Sequence, residues 1–585
     1  MHEKIYLAQF SVIIEDQFVY FPYSVGCIWA YIESQGTVNR DQLGDIFYIK
    51  KPIEDIVNSL DNPKLFGFSH YIWNENYNDA LAKAIKKTYP DCLIVYGGPQ
   101  VPDNNPDWYA ERDFIDVCVH QEGEIVFNDI LIGIPVEDML GVSFYKNGQW
   151  HKNAPRPRIN QLHEMPSPYT MGLFDHILNQ SKYMATMTVE TDRGCPYRCT
   201  FCDWGSATFS KVRKFDLDRV FAEIEWAGNN KIEMLFFANA NFGIYKQRDN
   251  EIVDYLISTK EKYGYPKIFD TSWAKNSNKD VLELSKKLKD ANMLRKFGIS
   301  MQSLSSTVLE NIKRNNMKIN DFEYMIEEAQ SYDINIMVEL IVGLPGETVD
   351  SWIDNYCKLM KYKNINIENY PLSLLNNSEI NSKETIEEFG LRYEVVDFGD
   401  FASQIVRENA KQIVSTNTLT EQELMKVWQW TWCARLGHTL GITNILAEKC
   451  EEYGIDAKTF YNTWFEYIST SNGILNEKFV EWNKLLDDYD FIKYNFDYGY
   501  LDDIGYNKRS ETILELKEFL QLLNVNDNTY ELFDIFYYTP EYNYPKTFGD
   551  ITVDHTGMGS IKKYSAYIGL NRKNSGWRCK ILEKT

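Results

Sequence analysis

Three cysteines, Cys195, Cys199 and Cys202, are the residues whose type and spacing point most directly to chemistry. They form a C-x3-C-x2-C pattern within the string GCPYRCTFC. Three thiolates this close together can bind three corners of a [4Fe–4S] cube and leave the fourth iron without a protein ligand. An iron with an open position is a site for bond-making chemistry as well as for electron transfer.

A zinc ion is the alternative occupant of these cysteines. Structural zinc almost always takes four protein ligands. His163 and His176 lie upstream of the three cysteines, and no Cys or His follows them closely. The cluster therefore explains the spacing better than zinc does, and the zinc interpretation would leave a non-enzymatic binding scaffold.

Residues 1–150, which precede these cysteines in the sequence, are predicted to form a separate domain. Apolar runs such as KLFGFSH and CLIVYGGP predict buried strands, and they alternate with amphipathic stretches such as ENYNDALAKAIKKTYP. Strands that alternate with helices of about 10–15 residues predict a parallel sheet. In such a sheet, ligands bind beyond the carboxyl ends of the strands.

Four loops are predicted at those strand ends: FPYSVG (21–26), SHYIWN (69–74), GGPQVP (97–102) and QEGE (121–124). They contain glycines, which let a backbone approach a flat ligand closely, together with small hydroxyls, aromatic rings and amides. A nucleotide-type site follows, although a Gly-Gly pair alone is common in turns after strands. No G-x-G-x-x-G string is present, so a dinucleotide fold has no support.

The remaining chain divides by pattern into three parts. Residues 151–185 are rich in Pro and polar, which predicts a linker. Residues 186–400 show about six strand–helix units, fewer than the eight of a full barrel, and predict a partial barrel. Residues 401–585 predict a mostly helical domain, to which we assign substrate recognition because the other two domains would hold cofactors.

Two further strings belong to the partial barrel and carry a resemblance to a known family. GISMQSLSSTVLENIKR (298–314) and IVGLPGET (341–348), together with the cysteine pattern and Phe201, resemble the radical-SAM enzymes. The four loops ahead of them resemble the cobalamin-binding, Rossmann-like domain of the cobalamin-dependent members of that family. The resemblance implies that S-adenosylmethionine chelates the open iron and is cleaved by one electron to a 5′-deoxyadenosyl radical.

The resemblance also implies which residues bind the cofactors. For S-adenosylmethionine they are Phe201, Asn239, Asn241, Ser300, Gln302, Gly343 and Leu344. The two Asn residues stand where many family members have Gly-Gly-Glu, and an ordinary polar strand end is their alternative role. For cobalamin they are Tyr23, Ser24, Gly26, Ser69, Tyr71, Trp73, Asn74, Gly97, Gly98, Pro99, Gln100, Gln121, Glu122, Gly123 and Glu124.

The resemblance does not decide which residue, if any, binds the cobalt on the lower face of the cobalamin. The D-x-H-x-x-G motif that supplies a cobalt-binding His in other cobalamin proteins is missing from the chain. His70 is either a cobalt ligand or an ordinary hydrogen-bonding residue. Trp73 either covers a face of the corrin or packs in the core.

The reaction implied by the resemblance is methylation of an unactivated sp3 carbon. The adenosyl radical would abstract hydrogen, and the substrate radical would take a methyl group from methylcobalamin. The segment CDWGSATFSKVRKFD is most similar to peptide C-methyltransferases, so a peptide or another natural product is the expected substrate. A rearrangement, cyclisation or oxidation with the same cofactors is the alternative. An external reductant of the flavodoxin or ferredoxin type and a monomeric state are also expected.

Composition excludes several other classes of protein. The formal net charge of −23 argues against a general nucleic-acid binder. The stretch Lys211, Arg213 and Lys214 is either a local basic funnel or a solvated loop. No signal peptide and no apolar run of about 18 residues is found, and ten cysteines in 585 residues form no disulfide scaffold. These features predict a cytoplasmic protein without a membrane partner.

Overall fold

The structure is a computed structural model that describes residues 3–14, 18–180, 183–204, 210–275, 279–362, 365–397, 405–439, 443–491, 494, 504, 508–523, 551–553, 564–570 and 577–583. The chain forms two compact units. The first unit contains residues 1–299, 309–334 and 372–413, and the second contains residues 300–308, 335–371 and 414–585.

A parallel sheet dominates the N-terminal part of the first unit. Its described strands are β1 (Lys4–Ala8), β4 (Leu43–Phe47), β5 (Pro63–Ser69), β6 (Leu93–Gly97), β7 (Val117–Val119), β8 (Val142–Lys146) and β9 (Gln149–Lys152). They lie in the order β4-β1-β5-β6-β7-β8-β9. The first five are parallel, as the alternating pattern predicts, whereas β8 and β9 add an antiparallel hairpin that the pattern did not indicate.

Helices connect these strands. They are α1 (Tyr23–Ser34), α2 (Ile53–Ser59), α3 (Glu75–Thr88), α4 (Pro106–Ala110) and α5 (Glu124–Leu131). Helix α1 begins at Tyr23, so the prediction that residues 21–26 form a loop was wrong for its last four residues. Gly26 made this segment resemble a loop. It is required inside the helix because a Cβ there would lie 2.3 Å from Cζ of Phe174.

A second sheet of the first unit carries the start of the partial barrel. Its described strands are β2 (Ile13–Ile14), β3 (Phe18–Tyr20), β10 (Met184–Val189), β13 (Met234–Phe242) and β14 (Ile268–Trp273), in the order β14-β13-β10-β3-β2. Strand β3 is parallel to β10, so the first twenty residues contribute to both sheets. The short strands β11 (Asp192–Arg193) and β12 (Arg213–Lys214) form a separate antiparallel pair.

The barrel pattern continues along the chain in both units. The helices of this part are α6 (Asp175–Gln180), α7 (Leu217–Asn229), α8 (Lys246–Tyr263), α9 (Lys279–Asp290), α10 (Ser306–Asn311), α11 (Ile319–Ser331) and α12 (Val349–Met360). At least one strand separates each helix from the next except for α10 and α11, which follow one another directly. Strands β15 (Phe297–Gln302), β16 (Ile336–Val342) and β17 (Ile365–Pro371) form a third sheet, in which β16 and β17 are parallel. Within the part of the chain that the structure describes, six barrel strands are present, namely β10, β13, β14, β15, β16 and β17, in agreement with the predicted partial barrel.

The last part of the described chain is mostly helical. After α13 (Lys383–Phe389) and the strand pair β18 (Arg392–Asp397) and β19 (Asn409–Ser415) come helices α14 (Glu421–Ala434), α15 (Asn444–Glu451), α16 (Ala457–Thr470), α17 (Ile474–Asp487) and α18 (Arg509–Leu522). Trp428, Trp430 and Trp464 are fully buried in the second unit. Short strands β20 (Ile551–Val553), β21 (Tyr564–Leu570) and β22 (Trp577–Glu583) form an antiparallel sheet.

Candidate active site

The three cysteines lie in a loop that the β11–β12 pair closes at its base. Gly194 enters this loop with φ of +117°, and a Cβ there would lie 2.6 Å from the carbonyl oxygen of Lys211. The backbone N–H of Ser210 donates to the carbonyl of Cys195 at 2.8 Å, and the N–H of Cys202 donates to the carbonyl of Cys199 at 3.2 Å. Cys195 and Cys199 are buried and Cys202 is half-buried.

Donor groups from three other elements point at the sulfur atoms. The Nδ2 of Asn241 lies 3.4 Å from Sγ of Cys195. Sγ of Cys199 accepts from Nζ of Lys275 at 3.3 Å and from Nη1 of Arg314 at 3.6 Å. Cations and amide donors of this kind would offset the negative charge of sulfur atoms that bind iron.

The end of strand β13 presents alternate residues to two different environments. Ala238 and Ala240 line a cavity, whereas Asn239 and Asn241 are buried on the other face of the strand. The Nδ2 of Asn239 donates to Oδ2 of Asp192 at 2.6 Å and to Oγ1 of Thr191 at 2.6 Å. Asn241 is therefore the one of the two predicted Asn residues that contacts a cysteine sulfur.

The cavity lies in the first unit, between the carboxyl ends of the N-terminal sheet and strands β10 and β13, and has a volume of about 540 Å³. Of the residues predicted to bind cobalamin, all but Gly26 and Asn74 line it: Tyr23, Ser24, Ser69, Tyr71, Trp73, Gly97, Gly98, Pro99, Gln100, Gln121, Glu122, Gly123 and Glu124. Asn74 is instead buried below the loops, where its Nδ2 donates to the carbonyls of Phe10 and Ser69.

Comparison with known proteins adds to this geometry. Residues 189–356 match the radical SAM superfamily. The 2-(S-pantetheinyl)-carbapenam-3-carboxylate methyltransferase of Streptantibioticus cattleyicolor is 30% identical over 552 residues, which cover 87% of this chain and 81% of that protein. The cobalamin-dependent radical SAM methyltransferase TokK of Streptomyces tokunonensis is 33% identical over 388 residues, or 64% of this chain and 57% of TokK.

This chain belongs to the cobalamin-dependent radical SAM methyltransferases. Solved structures show the same fold. OxsB with aqua-cobalamin and S-adenosylmethionine bound superposes with a TM-score of 0.55 at 14% identity, covering 90% of this chain and 81% of OxsB. TsrM from Kitasatospora setae with cobalamin and a [4Fe–4S] cluster bound gives 0.53 at 14% identity, covering 73% and 88%. The predicted architecture and the three cofactors are thereby confirmed.

The residues present in the cavity suit the cobalamin of a methyltransferase of this family. A corrin is a flat apolar macrocycle with amide groups at its rim. The wall of the cavity offers apolar side chains and neutral hydrogen-bonding groups, together with charged residues that include the ion pairs Arg193–Glu124 and Arg213–Glu122. Tyr71 and Trp73 stack against each other, with ring centroids 4.4 Å apart and planes 12° from parallel. Oγ of Ser24 donates to Oε1 of Gln9 at 2.8 Å and lies 2.9 Å from Oγ of Ser69.

His70 does not line this cavity. Its ring is fully buried behind the loops, where Nδ1 lies 3.3 Å from Nδ2 of Asn78 and the ring centroid lies 4.8 Å from that of Tyr96. Burial lowers the pKa of His70 to about 4. Among the described residues no His lines the cavity, so the geometry favours the hydrogen-bonding role for His70 over cobalt ligation.

Gly98 lines the cavity and is also required by the packing of two loops. It has φ of +113°, and a Cβ there would lie 2.6 Å from the carbonyl oxygen of His70. The N–H of His70 donates to the carbonyl of Gly97 at 2.6 Å, and the N–H of Gln100 donates to the carbonyl of His70 at 3.1 Å. Besides its place in the cavity wall, the glycine therefore allows two loops to pack against each other.

Glu122 joins the QEGE loop to the strands that flank the cluster loop. Its carboxylate accepts from Nη1 of Arg213 at 2.9 Å and from the backbone N–H of Ile159 at 2.8 Å, and Nη1 of Arg193 lies 3.5 Å away. Burial raises the pKa of Glu122, but the hydrogen bond and charge of the two arginines outweigh it and hold the pKa below its usual value. Arg213 is buried in an ion pair and is neither a solvated residue nor a free cation of a funnel.

The remaining predicted residues lie elsewhere in the two units. Phe201 is half-buried between Cys199 and Cys202 in the first unit. In the second unit, Oγ of Ser300 donates to Oε2 of Glu339 at 2.5 Å. Gln302 is buried with φ of +65°. Gly343, with φ of +89°, and the buried Leu344 precede the N-cap Thr348, whose side chain accepts from the N–H of Ser351 and starts α12 as the motif predicts.

Sequence reasoning missed several residues that line the cavity. They include Gln9, Arg158, Thr188, Glu190, Asp192, Arg193, Phe236, Ala238, Ala240 and Leu375. Gln9 directly follows β1, so the rule that ligands meet the carboxyl ends of parallel strands would have indicated it. Arg158 comes from the segment predicted as a linker, and the others come from the barrel part of the chain. Nothing local in their sequence shows that they meet the N-terminal sheet.

Proposed function

We propose that this methyltransferase adds a methyl group to an unactivated sp3 carbon of a small-molecule natural-product intermediate related to the carbapenams. The observation that carries the proposal is the 30% identity to the carbapenam methyltransferase. That similarity covers 87% of the chain and so extends into the last third, where we expect substrate recognition. A modified peptide is the second candidate, supported by the resemblance of CDWGSATFSKVRKFD, of which residues 205–209 lie outside the described residues.

When bound, the cluster with S-adenosylmethionine supplies a 5′-deoxyadenosyl radical, and cobalamin supplies the methyl group. We propose that Cys195, Cys199 and Cys202 hold the cluster through their thiolates. The positive charges of Lys275 and Arg314 offset the negative charge of the Cys199 sulfur.

The cavity residues position the cobalamin within this proposal. Ser24, Ser69 and Gln9 form a hydrogen-bonded row on one wall, and the Tyr71–Trp73 pair provides an aromatic surface. Packing by these groups would exclude water from the reacting atoms and hold them at a fixed separation.

The proposal also covers the reductant, the oligomeric state and the cellular location of the enzyme. It includes an external one-electron reductant of the flavodoxin or ferredoxin type, a monomeric state and a reducing cytoplasmic location, the last because the cluster is sensitive to oxygen. Among the described helices, none combines the length and the apolar character that a bilayer-spanning segment needs.

The test uses reconstituted enzyme under anaerobic conditions with S-adenosylmethionine that carries a CD3 group. The carbapenam substrate named for the relative and a short unmodified peptide are offered separately. We expect the CD3 group in the carbapenam product, with S-adenosylhomocysteine and 5′-deoxyadenosine formed in equal amounts. If the CD3 group appears in the peptide and not in the carbapenam, the carbapenam proposal is wrong and a peptide is the substrate. If deoxyadenosine forms without S-adenosylhomocysteine, the enzyme catalyses a radical reaction other than methylation.

A further inference from the structure

Residues 375–380, which we call the bridge segment, follow β17 along the chain and belong to the first unit. The segment begins beside the predicted cobalamin loop GGPQVP. The Nδ2 of Asn377 donates to the carbonyls of Pro99 and Val101, each at 2.9 Å, and its Oδ1 accepts from the N–H of Asp103 at 2.7 Å. The Nδ2 of Asn376 donates to the carbonyl of Gln100 at 2.7 Å.

The other end of the bridge segment contacts the cluster loop. The N–H of Ile380 donates to the carbonyl of Thr200 at 2.9 Å, and the N–H of Thr200 donates to the carbonyl of Ile312 at 3.1 Å. Thr200 is the residue directly after Cys199, and it is buried. Lys313 and Glu379 form an ion pair beside these bonds.

The middle of the bridge segment is itself held in place. Oγ of Ser378 and Nδ2 of Asn381 both donate to the carbonyl of Leu375, at 2.8 Å and 3.2 Å. Leu375 lines the cavity. Only two residues separate Asn377 from Ile380, so a shift of one predicted cofactor loop has a short, hydrogen-bonded path to the other.

We propose that Asn376 and Asn377 are positioning residues that link cobalamin binding at the GGPQVP loop to S-adenosylmethionine binding at the cluster. The inference rests on the proposed cobalamin contacts of that loop. Cobalamin that orders the loop would also order the bridge segment and, through Thr200, the cluster loop. Such a linkage is reciprocal, because two ligands that share one conformational equilibrium raise each other's affinity by the same factor.

The isosteric substitution Asn377→Asp tests the hydrogen bonds separately from packing. The carboxylate can still accept from the N–H of Asp103, but it has no proton to donate to Pro99 and Val101. It therefore faces two carbonyl oxygens with a negative charge, while the shape of the side chain is unchanged. Asn250→Asp is the matched control, since the Nδ2 of Asn250 donates to the carbonyl of Lys246 within helix α8.

The experiment measures binding without turnover, with the cluster oxidised and no reductant present. Equilibrium dialysis gives the Kd for S-adenosylmethionine with and without hydroxocobalamin, and a visible titration gives the Kd for hydroxocobalamin. In the wild type and in Asn250→Asp we expect hydroxocobalamin to tighten S-adenosylmethionine binding roughly fivefold or more. In Asn377→Asp we expect that ratio to fall to about one, while affinity without hydroxocobalamin stays within about twofold of the wild type.

Different outcomes overturn different statements. A wild-type ratio retained in Asn377→Asp, or no linkage in a wild type that binds both ligands, would refute the bridge. A wild type that does not bind hydroxocobalamin would refute the cavity assignment itself. If Asn377→Asp fails to fold, Asn376→Ala removes a single hydrogen bond, and a ratio in that variant equal to the wild-type ratio would equally refute the proposal.

Discussion

The cluster loop and the cavity stand in the same unit but present opposite surroundings to their ligands. At the cluster loop, two sulfurs are met by a lysine, an arginine and an amide. At the cavity, the wall close to the strand ends contains hydroxyls, amides, glycine backbone and aromatic rings, and Arg193 and Arg213 are paired there with Glu124 and Glu122. A ligand bound by thiolates needs its negative charge offset, whereas a neutral macrocycle needs shape and neutral donors.

The largest effect on activity is expected from removing one of the three cysteines that we propose as cluster ligands. Cys199→Ala should lower the iron content to background and abolish deoxyadenosine formation, because the cube loses one of three ligands. Hydroxocobalamin binding should persist, since the cavity wall does not include Cys199. Iron analysis, a visible titration and a deoxyadenosine assay check these points. A cluster retained by Cys199→Ala would contradict the ligand assignment.

The charge of Lys275 should raise the reduction potential of the cluster. Reduction adds negative charge, so a nearby cation stabilises the reduced form and raises the potential. We expect Lys275→Met to lower the midpoint potential of the cluster by roughly 50–150 mV, measured by a redox titration followed by EPR. Lys286→Met on α9, which removes a cation paired with Asp290, should leave the potential unchanged. Equal potentials in the wild type and Lys275→Met would show that the lysine does not face the cluster.

A single hydroxyl in the cavity should matter less, because many weak contacts share the binding. Ser69→Ala removes one member of the row formed with Ser24 and Gln9. We expect the Kd for hydroxocobalamin to rise about fivefold to tenfold, which corresponds to one hydrogen bond, with iron content unchanged. Ser59→Ala on α2, whose hydroxyl bonds to the carbonyl of Ile56, is the control. A loss of iron in Ser69→Ala would contradict the separation of the two sites.

The smallest effect concerns Asp192, which lies at the junction of the two sites. Burial raises its pKa to about 7, with Asn239 opposing the shift. A carboxyl whose pKa is higher when folded makes the folded state less stable as pH rises from about 4 through 7. Asp192→Asn should therefore raise the Tm of the cofactor-free protein by a few degrees at pH 8 and by only about a third as much at pH 5.

Thermal unfolding followed by circular dichroism checks this pH dependence. The exposed Asp113 offers a control, and Asp113→Asn should show no such pH-dependent gain. A gain of equal size for Asp192→Asn at both pH values would mean that packing, rather than ionisation, sets the effect.

The sequence could predict the features that depend on residue type or on local periodicity. Iron ligation requires thiolates at fixed spacing, so Cys195, Cys199 and Cys202 stood out, and the parallel strands followed from alternating patterns. Lys275, Arg314 and Asn377 could not be predicted, because each reaches its partner across a long separation in sequence and nothing nearby marks it. The role of Arg213 could not be predicted for the same reason. It depends on an ion pair with Glu122, which lies in the predicted N-terminal domain.

The pairing of β3 with β10 has a consequence for synthesis of the chain. The edge of β3 that will face β10 emerges from the ribosome long before residues 184–189 do. At roughly 5–20 residues per second, translation needs on the order of ten seconds or more to deliver the partner strand. During that interval the nascent chain exposes an open strand edge, which is a surface that chaperones and other chains can bind. We therefore expect the yield of folded enzyme to depend on translation speed between codons 20 and 190.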